Sequence, residues 1–215
     1  MKKFFMITPL QPVFWDQQTG AVVKDLLCSS IYQAAGNRKL VYEQKTRFPL
    51  IPVINGYAQE GEEIRVIAVT PDTKSAWYHV EQLRVELAGL QERKGFVCRG
   101  VEPVCVTYAG DVGTQIEIFH KLLPFVEDGD ILYGCLTYGN KPMPIAELMA
   151  IQYGYRALRN VSIGCLVYGE LDHSREEAPM TLFDITALIR LDEIVRVLAD
   201  RKVRDPGAIL ERLLS

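Results

Sequence analysis

Apolar and polar positions divide the chain into short β-branched runs that alternate with longer stretches of helical spacing. Ile64-Arg65-Val66-Ile67-Ala68-Val69-Thr70, ended by Pro71, has the length and residue types of a buried strand. Residues 75–90 follow with Trp77, Val80, Leu83, Leu87 and Leu90 at helical spacing. The alternation then repeats. Residues 103–108 predict a strand, and Gly113 opens a helix with Ile116, Phe119, Leu122 and Leu123 on one face. Residues 130–137 predict a strand, residues 142–158 a helix (Leu148, Ile151, Tyr155, Leu158), and residues 161–168 another strand. A first strand at 3–8 is closed by Pro9 and Pro12. At the other end, residues 186–199 form an amphipathic helix (Leu188, Leu191, Val195, Leu198). Asp205-Pro206 starts a last short helix, with Asp205 as its cap.

Strands alternating with helices of this length predict right-handed β-α-β units, hence an α/β protein with a Rossmann-like, mainly parallel sheet and helices on both faces. The division expected is a Rossmann-like domain over residues 1–180, followed by C-terminal helices over 181–215. Residues 11–46 are mixed and polar, with Gly20 and Gly36 as breakers, and a helix near 22–35 is the expectation there. Pro49, Pro52 and Gly56 confine any helix at 48–57 to a short or irregular one.

Composition narrows the function classes. With 215 residues, 48% hydrophobic and 24% charged, the chain has ordinary globular composition. Its net charge of −3 argues against a broad basic face for duplex DNA, while leaving room for a small basic pocket. Near the C terminus, Arg190, Arg196, Arg201, Lys202 and Arg204 are interspersed with Asp192, Glu193, Asp200 and Asp205, as on a solvated helix face. Cys28, Cys98, Cys105, Cys135 and Cys165 form no C-x-x-C pair and are odd in number, so reduced thiols are expected, with no disulfide framework or metal site. The run Phe4-Phe5-Met6-Ile7 after Lys2 and Lys3 stops after four residues, too few for a signal core. No stretch approaches the roughly 18 apolar residues of a membrane span. A cytoplasmic protein without membrane contact is the expectation.

Parallel α/β sheets bind ligands beyond the carboxyl ends of their strands. That rule singles out the loops after Thr8, Thr70 and Thr137. The last is the richest: Thr137-Tyr138-Gly139-Asn140-Lys141-Pro142-Met143-Pro144 joins a strand to a helix. Gly139 permits a tight turn, and Pro142 suits the first helical position. The amides of Gly139, Asn140, Lys141 and Met143, the Lys141 ammonium and the Thr137 hydroxyl together would make a compact phosphate site at the positive end of a helix dipole. A purely structural strand-to-helix turn uses the same residue types. Neither G-x-x-x-x-G-K-[ST] nor a G-x-G-x-x-G after the first strand is present, which disfavours NTP hydrolysis and nicotinamide binding.

The segment from Asp130 to Glu170 resembles the carboxy-terminal half of the CRISPR-associated Rossmann-fold (CARF) family. One branch of that family carries an acidic-x-Thr-His-Gly-x-Arg-x-x-Pro strand end, which Thr137, Gly139, Lys141 and Pro144 match. Tyr168-Gly169 is similar to its next strand end, and Asp184-Ile185-Thr186 to the start of its following helix. Upstream, Phe4 to Pro9 and Ile64 to Pro71 are similar to two further strands of the family. Cys135 stands in place of the acidic residue, Tyr138 of the histidine and Lys141 of the arginine; lysine keeps the charge and gives up bidentate geometry.

The resemblance implies a homodimer that binds cyclic oligoadenylate, a tetra- or hexa-adenylate ring, across its two-fold axis in type III CRISPR antiviral signalling. It implies a pocket of Thr8, Pro9, Leu10 and Gln11, of Thr70, Asp72 and Thr73, and of Thr137, Tyr138, Gly139, Asn140, Lys141 and Met143, with Tyr138 stacking on an adenine or packing on the second subunit. The absence of room for an effector domain points to a ring nuclease that cuts the ring by attack of a 2′-hydroxyl, without metal or other cofactor. Lys141 would stabilise phosphoryl charge, with Thr137 and Thr8 as hydrogen-bonding partners. Two alternatives stand beside it: a sponge or regulatory subunit that holds the ring intact, and an α/β protein binding a nucleotide or sugar phosphate.

Several residues carry no function in this account. His79 and His120 fall in predicted helices and are expected at the surface or its boundary. His173 lies in a polar loop at 171–179. Glu147, one turn into a helix, would face the pocket or solvent. Cys135 lacks a neighbouring base and is expected as a buried thiol.

Overall fold

The computed structural model describes residues 1–109, 111–170 and 180–214. Its centre is β1 (Lys2–Ile7), a strand buried on both faces. Phe4 and Met6 point into one core, Phe5 and Ile7 into the other. On one side β1 pairs in parallel with β6 (Glu63–Pro71), which pairs in parallel with β7 (Val97–Val106). On the other it pairs with β8 (Ile131–Cys135) and, beyond that, β9 (Ser162–Glu170), again in parallel. The strand order β7-β6-β1-β8-β9 reverses its direction of growth between β1 and β8, so the tips of these two strands mark the natural crevice of the sheet. The protein is thus α/β with a Rossmann-like sheet.

Helices cover both faces. α1 (Leu50–Tyr57) and α2 (Lys74–Lys94) pack on the Phe4 face through Leu50, Ile54, Val80, Leu83 and Leu87. Thr73 caps α2 by accepting from the Ala76 amide, and Gly95 ends it in the left-handed region. α3 (Val112–Leu122) and α4 (Pro142–Ala157) pack on the Phe5 face through Ile118, Leu122, Met143 and Ile151. α4 lies close to β8 because Gly134 has no side chain: a Cβ there would sit 2.7 Å from Ile151 Cδ1. α5 (Thr186–Asp200) adds Ile189 to this core, and α6 (Pro206–Leu214) follows, capped by Asp205, which accepts from the Ala208 amide at 3.1 Å.

Residues 11–46 depart from expectation. The segment 22–35 is not a helix: β3 (Val22–Asp25) pairs with β2 (Val13–Trp15) as a separate hairpin, and β4 (Ser30–Ala35) pairs with β5 (Tyr42–Thr46). Asp25 breaks the stretch by accepting from the Leu27 amide, an Asx turn that competes with helical bonding. In β4, Tyr32 points inward while Ile31 and Gln33 point out, a two-residue period. β4 then joins the central sheet beside β10 (Met180–Asp184), itself antiparallel to β9, giving eight strands in the order β5-β4-β10-β9-β8-β1-β6-β7. β10 was not apparent in the pattern of the chain; it carries the sheet past residue 180, and helix resumes at Thr186. No helix among the described residues is long and apolar enough to cross a membrane.

Candidate functional site

The three loops singled out above converge at the carboxyl tips of β1, β6 and β8. Ile7 pairs with Val69 and Met6 with Cys135, which sets Thr8 beside Thr70 and the loop after β8 alongside both. Gly139 (φ 97°) folds that loop over β1: a Cβ there would lie 2.9 Å from Ile7 Cγ2. Only glycine combines this backbone with this approach.

The outer rim of the loop fits a phosphate best. Lys141 is exposed and makes no ion pair among the described residues. It stands at the N-cap position of α4, where no side chain caps the helix. The amides of Gly139, Asn140 and Lys141 have no partner among the described residues, and the Asn140 side-chain oxygen is buried without one. The Met143 amide is taken by the Asn140 carbonyl at 2.9 Å and the Met143 side chain is buried, so Met143 leaves the expected cradle. Thr137 is half-buried; its hydroxyl accepts from the Gly169 amide at 2.8 Å and lies 3.3 Å from Cys135 Sγ, where either group can donate.

Other expected contacts turn inward. Tyr138 is buried in the core, its hydroxyl donating to the Arg47 carbonyl at 2.7 Å, so it presents no face for stacking. Burial also pushes its phenol upward. Thr70 donates to the Ala68 carbonyl at 2.9 Å, and Thr8 closes on Thr70 at 3.2 Å with both hydroxyls buried. This pair fastens β1 to β6 and opens neither hydroxyl to the surface. Pro9 is buried; Leu10 is half-buried and packs on the second core. Gln11, also half-buried, holds its side-chain oxygen buried and unpartnered. Asp72 is exposed and accepts from the Trp77 indole at 3.3 Å; Thr73 is occupied as the α2 cap.

The pieces of the family resemblance are joints between elements. Thr137 meets Gly169, Asp184 accepts from the Thr186 amide, and the Thr186 hydroxyl accepts from the Leu166 amide. Glu147 faces neither pocket nor solvent: it is fully buried with both carboxyl oxygens unpartnered, and burial holds its carboxyl well above the ordinary range. Burial likewise pushes the Cys135 thiol up to about 12, leaving no thiolate at neutral pH. All five cysteines are free, and no group of three His, Cys, Asp or Glu converges as a metal site among the described residues.

Three features escaped the sequence analysis. His79 is fully buried, not at the surface, with Nδ1 3.0 Å from the Pro9 carbonyl and Nε2 3.3 Å from Asp25 Oδ1. Its spacing from Ala76 and Leu83, one helical turn to either side, is the signal that marks it as inward. Arg47 was invisible because its role passes through its backbone carbonyl. Beside Lys141, α3 and α4 enclose an apolar groove of about 610 Å³ lined by Val112, Ile116, Phe119, Pro142, Ile145 and Met149. Val112 is 67% exposed and Ile145 56%. His120 is exposed as expected, while His173 lies outside the described residues. No protein-family model and no curated protein matches the chain.

Proposed function

We propose that the protein binds cyclic oligoadenylate as a homodimer and cleaves the bound ring to linear products. The observation that carries this proposal is the adjacency of an unpaired cationic rim and an exposed apolar face: Lys141 borders both the free amides of residues 139–141 and the α3–α4 groove. A second copy covering the groove would exclude water from it. It would also set two such rims around one axis, as a ring with a phosphate at every nucleotide requires.

In this function Lys141 and the three amides bind a phosphate at the positive end of α4, Thr137 donates its hydroxyl hydrogen, and Leu10, Gln11 and Asp72 border the ring. Thr8 and Thr70 hold the tips of β1 and β6 together, and the buried Tyr138 supports the loop from below. Cleavage proceeds when a 2′-hydroxyl attacks the adjacent phosphorus and gives up its proton to water. A new O–P bond forms as the bond to the leaving 5′-oxygen breaks, that oxygen takes up a proton from water, and the linear product ends in a 2′,3′-cyclic phosphate. Lys141 and the amides stabilise the charge that develops on the phosphoryl oxygens.

Incubating the protein with labelled cyclic tetra- and hexa-adenylate in the presence of a chelator tests this. Linear products are expected, and Lys141→Ala should weaken binding or turnover about tenfold or more, the usual loss for a charged hydrogen bond. Rings retained uncut would remove the catalytic half, and rings neither retained nor cut would remove the whole proposal.

A further inference from the structure

We infer that a polar chain running Pro9–His79–Asp25–Arg47–Tyr138, buried at its ends and at His79 and half-buried at Asp25 and Arg47, braces the loop after β1 against the loop after β8, making His79 and Arg47 positioning residues for the site between them. That this site takes a ligand rests on the proposed function; the brace itself rests on geometry. The Pro9 carbonyl can only accept, so His79 Nδ1 carries the hydrogen in the 3.0 Å contact. On the opposite edge of the ring, Nε2 meets Asp25 Oδ1 at 3.3 Å; a carboxylate oxygen only accepts, so this link needs a hydrogen on Nε2 as well. Asp25 Oδ2 in turn lies 3.8 Å from Arg47 Nε. Glu86 fixes the arginine, accepting from the Arg47 amide at 3.3 Å and pairing with Nη1 at 3.6 Å. The Arg47 carbonyl then accepts from the Tyr138 hydroxyl at 2.7 Å, inside the loop that carries Lys141.

Burying an imidazole between acceptors, with a half-buried carboxylate and guanidinium beside it, is a costly way to fill this space. What such a chain supplies over an apolar filling is direction: each link fixes the next. It joins five separate places in the chain and ends on two loops that share the crevice beside β1. One joint is slack. Asp25 Oδ2 and Arg47 Nε are both buried without a hydrogen-bond partner, so the 3.8 Å between them is a contact of charges and not a bond. Movement of either loop is taken up or passed on at that joint.

A local staple holding the β2–β3 hairpin to α2 predicts something different. It confines the effect of losing His79 to the neighbourhood of Pro9 and Asp25. Amide hydrogen exchange on the full chain without ligand separates the two. The Thr8 amide, bonded to Val69, reports the first loop; the Met143 and Gly169 amides, bonded to Asn140 and Thr137, report the second. His79→Ala should speed exchange at Met143 and Gly169 several-fold. His79→Asn, which restores a donor toward Pro9 alone, should leave it fast. Tyr138→Phe keeps the ring, removes one hydroxyl and tests the reverse direction should His79→Ala not fold: exchange at Thr8 should rise. Wild-type exchange at the distant reporters in both variants would overturn the brace. A wild-type chain that binds no cyclic oligoadenylate would sink the ligand proposal and leave these rates to decide the brace alone.

Discussion

Two buried ionisable side chains set the terms at the scale of single residues. Lys3 is fully enclosed and pairs with Asp130 at 2.7 Å and Glu127 at 2.6 Å beneath the sheet. Replacing it leaves the Asp130 carboxylate buried with, among the described residues, the amino terminus 3.3 Å away as its remaining ion-pair partner. Lys3→Met should cost about 3–5 kcal/mol in urea denaturation, as breaking a buried pair from one side does. Glu147 is the opposite case, an acid kept neutral by burial. Because its folded value is raised, the stability it contributes is present in full below the unfolded value near 4.5 and is lost as pH climbs through the folded one. Glu147→Gln removes that loss. The variant's advantage over the wild type should widen as pH is raised above the unfolded value near 4.5; a difference in denaturation midpoint that does not change with pH would contradict the assignment. Residue types at the strand ends pointed to the loop of Gly139, Asn140 and Lys141, and the structure sets that loop beside the tips of β1 and β6. They could not give orientation, which is why Thr8, Thr70 and Tyr138 sit in the expected loops yet face the interior.

At the scale of elements, α3 and α4 present one contiguous apolar face, with Val112, Ile116, Ile145 and Met149 all exposed around one groove. If a second copy covers it, Ile145→Asp should convert a dimer to a monomer in analytical ultracentrifugation while leaving the circular dichroism of the fold unchanged. A dimer that survives both this change and Met149→Asp would place the interface elsewhere. β6 and β8 announced themselves because they are covered on both faces and read as continuous apolar runs, whereas β7, the edge strand, begins at Val97 and was expected only from residue 103, since Arg99, Gly100 and Glu102 interrupt its first half. β2 to β5 did not. They are three to six residues long and mostly half-exposed, and β4 takes its place from β10, some 150 residues away along the chain. Local spacing has no means of recording such a partner. Gly139 makes the same point in reverse. Its positive φ and its contact with Ile7 predict that Gly139→Ala loses about 1–3 kcal/mol and displaces the Lys141 loop, read as weaker ring binding with the strands intact.

For the whole molecule, the proposal turns on symmetry. One chain offers one exposed ammonium and three amides at the rim of a sheet, a modest anion site on a protein of net charge −3. Doubling that site about an axis beside α3 and α4 makes a ring-shaped ligand a better match than a single nucleotide, which would need only one copy. Stoichiometry separates the two directly. Native mass spectrometry of the protein with cyclic tetra- or hexa-adenylate should show one ring on two chains for the wild type, and none on Lys141→Ala at the same concentration. One ligand on each single chain, or neither a bound ring nor its linear products with either compound, would contradict it.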